Sequence, residues 1–255
     1  MQIELIIVTL ASLFAGLIDS IVGGGGLILV PALFATFPMA PPATLLGTNK
    51  CASVWGTMIA AAHYSRRVQL HWQVLLPAAL MAMLGAFAGA WAVTAVSPDF
   101  LRKMLPLILI IILIYTLLNK RLGTDHSPRY SGKQEVWVGC AIGAAIGCYD
   151  GFFGPGTGSF FIFLLVRFLG YDFLNASASA KVMNLATNLA ALALFAAKGH
   201  IWWHIGLTMA IANVIGSIGG TYLALRHGAT FVRYVFLLVV SALILKTVYD
   251  ALLIW

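Results

Sequence analysis

Long apolar stretches follow one another along this chain with only short polar breaks. They fall at about residues 3–22, 27–37, 43–64, 73–96 and 104–118, then at 136–153, 158–170, 173–197, 204–225 and 231–251. Several reach the ~20 residues a helix needs to cross ~30 Å of hydrocarbon. Residues 27–37 and 158–170 are too short to cross, and read as half-membrane segments or pieces of broken helices. The pattern predicts an all-α, polytopic integral membrane protein. The first run begins at Ile3, behind Met1 and Gln2, with no positive n-region, so it reads as a retained membrane segment.

The longest polar loop, NKRLGTDHSPRYSGK at Asn119–Lys133, separates five apolar segments from five. The two sides align without a gap at an offset of 131. That offset pairs Asp19 with Asp150, Gly16 with Gly147, Gly23 with Gly154, Gly25 with Gly156 and Lys50 with Lys181. It also pairs Trp72 with Trp203, Gly85 with Gly216, Gly89 with Gly220 and Arg102 with Arg233. Apolar matches between helices arise by chance, but Asp, Lys, Trp and Arg at one fixed offset point to an internal duplication. The predicted organisation is a first membrane repeat at 1–118, a linker at 119–133 and a second repeat at 134–255. Each repeat starts with a glycine-broken helical element. If three spanning helices follow that element, the second repeat is inverted. One face then receives nine positive residues and the other four: Arg66, Arg67, Lys120, Arg121, Arg129, Lys133, Arg167, Arg226 and Arg233 against Arg102, Lys103, Lys198 and Lys246. Parallel repeats give eight against five. The inverted arrangement is preferred, with a cytoplasmic linker and both termini outside.

Composition agrees. Hydrophobic residues make up 61% of the chain and charged residues 9%, so a soluble skin cannot be assembled. Soluble enzymes, nucleic-acid binders and disordered proteins are excluded. The net charge of +7 is scattered through loops and forms no basic stripe for nucleic acid. Cys51, Cys140 and Cys148 form no CxxC pair and read as small apolar helix residues. Trp72, Trp137, Trp202, Trp203 and Trp255 lie near segment ends, as in an interfacial belt. The histidines show no ligand spacing, so no metal or cofactor is expected.

Three constellations carry candidate chemistry. The first is the pair of glycine breaks, Gly23–Gly26 after Asp19, and Gly154, Gly156, Thr157, Gly158 and Ser159 after Asp150. A break inside lipid frees backbone groups that must line a cavity or meet a ligand. It also exposes the N-terminus of the next half-helix, an anion site; the alternative is tight glycine packing. The second is Asp19 and Asp150, intramembrane carboxylates that either carry a proton or serve in ion pairs and caps. The third is a polar stripe on each following helix. Lys50, Ser53 and Thr57 share a face beside Asn49, and Lys181, Asn184, Thr187 and Asn188 share another. The lysines either neutralise an anionic substrate, or pair with Asp19 and Asp150, or snorkel to an interface. Gly85, Gly89, Gly216 and Gly220 read as helix-packing positions.

The segments GLIDSIVGGGGLILVP and YDGFFGPGTGSF, with LGTNKCASVWGT and AKVMNLATNLAAL, resemble the TauE/SafE family of sulfite and sulfonate exporters. The resemblance covers nearly the whole chain. It implies a multi-pass bacterial inner-membrane transporter of small sulfur-containing anions, working without ATP hydrolysis and coupled to an ion gradient. It maps the family motif to Asp19, Gly23–Gly26, Asn49 and Lys50, and to Asp150, Gly154, Gly156, Thr157, Gly158 and Lys181. The halves differ, with Asn49 opposite Ala180 and Ser53 opposite Asn184. The expected substrate site is therefore Gly23, Gly24, Gly25, Gly26, Asn49, Lys50, Ser53, Gly154, Gly156, Thr157, Gly158, Ser159, Lys181, Asn184 and Asn188. Asp19 and Asp150 are the proton candidates, and the partners are a small anion and the lipid bilayer. A passive anion channel, an intramembrane aspartyl protease and a homo-oligomer remain open; the protease lacks its GxGD motif.

Overall fold

The computed structural model describes residues 2–97, 100 and 127–253, with side chains beyond Val232 described at Tyr234, Val235 and Leu238. The apolar segment 104–118, linker residues 119–126 and the charges of Arg102, Lys103, Arg233 and Lys246 lie outside the described residues or side chains.

Among the described residues the chain is helical. The helices are α1 (Gln2–Val22), α2 (Gly26–Thr36), α3 (Pro42–Ser65), α4 (Trp72–Ala95), α5 (Lys133–Phe152), α6 (Thr157–Leu164), α7 (Phe173–Ala197) and α8 (Trp203–Leu253). A π-helical turn at Leu165–Leu169 extends α6. Local signals set several boundaries. Pro42 opens α3, where a missing N–H costs nothing. Asp172 caps α7, its Oδ1 accepting from the Asn175 amide at 2.8 Å. Gly228, at φ 72°, kinks α8 close to where the apolar pattern broke.

Among the described residues, four helices are long and apolar enough to cross a membrane: α1, α4, α7 and residues 203–232 of α8. Their outer faces are apolar. Leu76, Leu80, Leu84, Phe87 and Trp91 form an exposed stripe on α4. Leu207, Ile211, Ile215, Ile218 and Tyr222 form one on α8, each 131 residues later. Large apolar side chains at helical spacing facing outward suit lipid and not water.

The inner faces are built for close approach. A Cβ on Gly143, Gly147 or Gly151 of α5 would sit 2.3, 2.2 or 1.9 Å from the carbonyl oxygens of Ala78, Ala82 and Ala86 on α4. A Cβ on Gly16 of α1 would sit 2.1 Å from Asn213 O on α8. Gly85 and Gly89 touch α5 backbone, and Gly216 and Gly220 touch α1 backbone, so the packing expected from their spacing is present. Residue numbers rise together across α4–α5 and across α1–α8, so each pair is parallel. Between α3 and α7 they run oppositely: Gly47 meets Phe195, and Thr57 meets Asn188. Helices α3 and α7, whose residues align at the offset of 131, are therefore antiparallel.

The packing sorts the helices into two bundles. One joins α1, α2 and α3 to α8, and the other joins α5, α6 and α7 to α4. The bundles meet mainly where α3 crosses α7. Buried polar ties hold the first bundle together, with Ser12 Oγ donating to Met209 O at 2.8 Å and Ser217 Oγ to Gly56 O at 2.6 Å. At one end of the molecule His71, Glu135 and Tyr171 cluster, and Ser127 N donates to Gly170 O. That end carries Arg66, Arg67, Arg129, Lys133 and Arg167, whereas Lys198 lies at the other, bonded to Thr94.

Candidate functional site

Both helical breaks occur where glycine supplies a backbone that other residues avoid. Gly23 has φ +75° and Gly154 has φ +85°, and α2 and α6 start a few residues later, at Gly26 and Thr157. The two breaks touch. A Cβ on Gly23 would lie 2.2 Å from the Gly158 carbonyl carbon. Ser159 ties them, its N–H donating to Gly23 O at 3.1 Å and its hydroxyl to Val22 O at 2.8 Å. Tyr149 braces the second break, donating to Pro155 O at 2.6 Å.

Asp19, Asp150, Lys50 and Lys181 cross-pair between the halves. Lys50 Nζ lies 2.6 Å from Asp150 Oδ2, and Lys181 Nζ lies 3.1 Å from Asp19 Oδ2. The sequence left the lysines three roles, and the structure places them in ion pairs. The pairs are equivalent in position and unequal in surroundings. Asp150 is almost fully buried and also accepts from Thr157 Oγ1 at 2.6 Å. Asp19 keeps 16% of its side chain exposed and accepts the Gly25 amide at 3.3 Å. Lys50 also donates to Asn188 Oδ1 at 2.9 Å, whereas Lys181 donates to the main-chain oxygen of Asp19. Asn188 and Thr57, themselves 131 apart, bond each other at 3.4 Å where α3 crosses α7.

A polar cavity of about 20 Å³ lies between the breaks, room for about one water molecule. It is lined by most of the expected residues: Gly23, Gly26, Asn49, Lys50, Ser53, Gly154, Thr157, Gly158, Asn184 and Asn188, with both Asp19 and Asp150. Five expected residues stand behind it. Gly24 and Gly25 form the turn into α2, Gly156 packs against Leu27, Ser159 ties the breaks, and Lys181 holds Asp19. Thr57 joins the lining; it shares the Lys50 stripe, and that spacing was the signal for it. Tyr64, donating to Ser20 O beneath the break, had no signal in the sequence. Asn49 Oδ1 is buried and has no hydrogen-bond partner among the described residues. Such a group costs about 1–3 kcal/mol if nothing ever satisfies it. The cavity thus offers an ammonium group, hydroxyls, amides and the starts of two helices, a chemistry suited to a small oxyanion.

A family model described as sulfite exporter TauE/SafE matches residues 8–247 of the chain. The probable membrane transporter protein ORF9 of Sinorhizobium sp is 36% identical over 240 residues, covering 94% of this chain and 90% of the relative. A probable membrane transporter protein of Haemophilus influenzae is 35% identical over 237 residues, covering 92% and 91%. The probable membrane transporter protein YfcA of Escherichia coli K12 is 36% identical over 243 residues, covering 94% and 88%. No solved structure matches.

Proposed function

This chain belongs to the sulfite exporter TauE/SafE family of membrane transporters, and from that premise we propose that it carries small sulfur-containing oxyanions such as sulfite, sulfoacetate or related sulfonates across the bacterial inner membrane. The observation that carries the reading is the polar cavity between two touching helix breaks, with Lys50 in its wall and the first residues of α2 and α6, Gly26 and Thr157, lining it. The anion enters as the two bundles part and the cavity widens, drawn by Lys50 and the N-termini of α2 and α6.

The two halves are inverted repeats, at 1–118 and 134–255 around a cytoplasmic linker. What supports inversion is the antiparallel crossing of the equivalent helices α3 and α7, together with contacts that recur at the offset of 131. What supports the orientation is the end rich in Arg66, Arg67, Arg129, Lys133 and Arg167, which faces the cytoplasm by the positive-inside rule. Access alternates by rocking of the two bundles about the α3–α7 crossing. Because each bundle borrows a helix from the other half, the moving units are the bundles and not the sequence repeats.

The small cavity fits an occluded carrier better than a conducting channel. Pairing of each aspartate with a lysine also argues against a protease, whose carboxylates must work on each other. The test combines binding and transport. Sulfite or a small sulfonate should raise the melting temperature of the purified protein, since a ligand of the native state stabilises it. Lys50→Ala should abolish sulfite flux in proteoliposomes. Normal flux in that variant, or no shift with any of these anions, rules the reading out.

A further inference from the structure

The cavity has a charge balance that an anion must upset. Asp19, Asp150 and Lys50 line it and Lys181 stands behind Asp19, so the four sum to zero, and among the described residues no other charged side chain lines the cavity. Adding one negative charge to a site of low dielectric is costly unless a positive charge comes too. Resting on the anion reading above, we propose that Asp19 takes up one proton with each singly charged anion, so that the loaded site is again neutral.

Geometry selects Asp19 over Asp150. Asp150 is sealed at 1% exposure, with Lys50 at 2.6 Å and the Thr157 hydroxyl at 2.6 Å. Asp19 is the more open carboxylate, at 16% exposure, and its contacts are longer: Lys181 at 3.1 Å and the Gly25 amide at 3.3 Å. Lys181 has a second acceptor in the main-chain oxygen of Asp19, so it stays anchored when the carboxylate is neutralised. The groups facing Asp19 are few. Lys181 comes from α7 and the Tyr64 phenol from α3, with Lys50 and Asp150 across the cavity. Neither α2 nor α6 contains a titratable side chain.

The step balances. A proton leaves water in the open cavity and bonds to a carboxylate oxygen of Asp19. Lys181 turns to the main-chain oxygen, and the positive charge released from the pair offsets the incoming anion. On the other side the anion leaves, the proton returns to water and the Asp19–Lys181 pair re-forms. A singly charged anion therefore crosses without net charge movement, driven by a pH gradient and not by membrane potential.

The experiment uses the purified full chain with isethionate and methanesulfonate, which keep one negative charge at any working pH. Binding is followed by equilibrium dialysis, and proton uptake by an indicator dye in weak buffer. About one proton should be taken up per anion bound. Anion binding without proton uptake overturns the proposal and leaves the anion reading standing. Binding of neither sulfonate nor sulfite removes both. Infrared difference spectra on anion binding locate the proton. A protonated-carboxyl band should appear in the parent protein, shift in Asp19→Glu and stay in place in Asp150→Glu. A band that moves only in Asp150→Glu assigns the proton to the wrong carboxylate for this proposal.

Discussion

Lys50 and Lys181 stand 131 residues apart and differ in what surrounds them. Lys50 reaches the cavity wall, whereas Lys181 is completely enclosed and holds the carboxylate and main chain of Asp19 at the first break. Removing one partner of a buried pair strands the other, at about 3–5 kcal/mol. Lys181→Ala should therefore lose about 3 kcal/mol in chemical unfolding in detergent, toward the low end because Asp19 is partly exposed. Asn49 predicts the opposite split. Its unpartnered buried oxygen gains nothing from the folded protein, so Asn49→Leu should keep or raise stability. The same change also removes the side-chain N–H2, the half of the amide that can donate to an oxyanion, and should weaken sulfite binding by about tenfold, the worth of one hydrogen bond of ~1.4 kcal/mol. Equal binding in parent and variant would leave the Asn49 amide without a role in binding.

At the scale of the element, close helix contact depends on which face a glycine occupies. Gly219 and Gly220 are neighbours on α8. A Cβ at Gly219 would meet only Leu17 Cδ1, at 3.9 Å, but one at Gly220 would lie 2.2 Å from Leu17 O and 2.1 Å from Ser20 Oγ. Gly220→Ala should force α1 from α8 and cost about 1–3 kcal/mol. Gly219→Ala should be neutral or stabilise by up to ~1 kcal/mol, from helix propensity alone. Unfolding of the two single variants checks this, and equal effects would mean that α1 and α8 are not in backbone contact. The strain of the breaks is likewise local: the positive φ angles of Gly23 and Gly154 are what turn α2 and α6 back toward each other.

Across the whole molecule, the packing cuts through the sequence halves. Ala78 on α4 and Gly139 on α5 belong to different halves and the same bundle, and a Cβ on Gly139 would stand 3.5 Å from that of Ala78. That separation suits a disulfide. In a variant with Cys51, Cys140 and Cys148 replaced, Ala78→Cys with Gly139→Cys should oxidise and still transport sulfite in proteoliposomes. Transport that stops on oxidation and returns on reduction would mean that the halves move as units.

The sequence alone pointed to the lipid solvent, the helical class, the two short segments and most of the cavity lining. Each follows from short-range rules: apolar run length, glycine inside lipid, and polar residues repeating on one helical face. Asp19, Asp150, Lys50 and Lys181 were visible because a charge in an apolar run is too costly to be incidental. Their partners were not, since pairing depends on which helices cross and at what register. Tertiary structure alone decided that each lysine serves the aspartate of the opposite half. It also decided that Lys181 stands behind the cavity while Lys50 lines it, and that α4 and α8 exchange bundles. Those outcomes rest on backbone approaches at Gly143, Gly147 and Gly151 and at Gly16, Gly216 and Gly220, where small residues mark a contact without naming the helix that fills it.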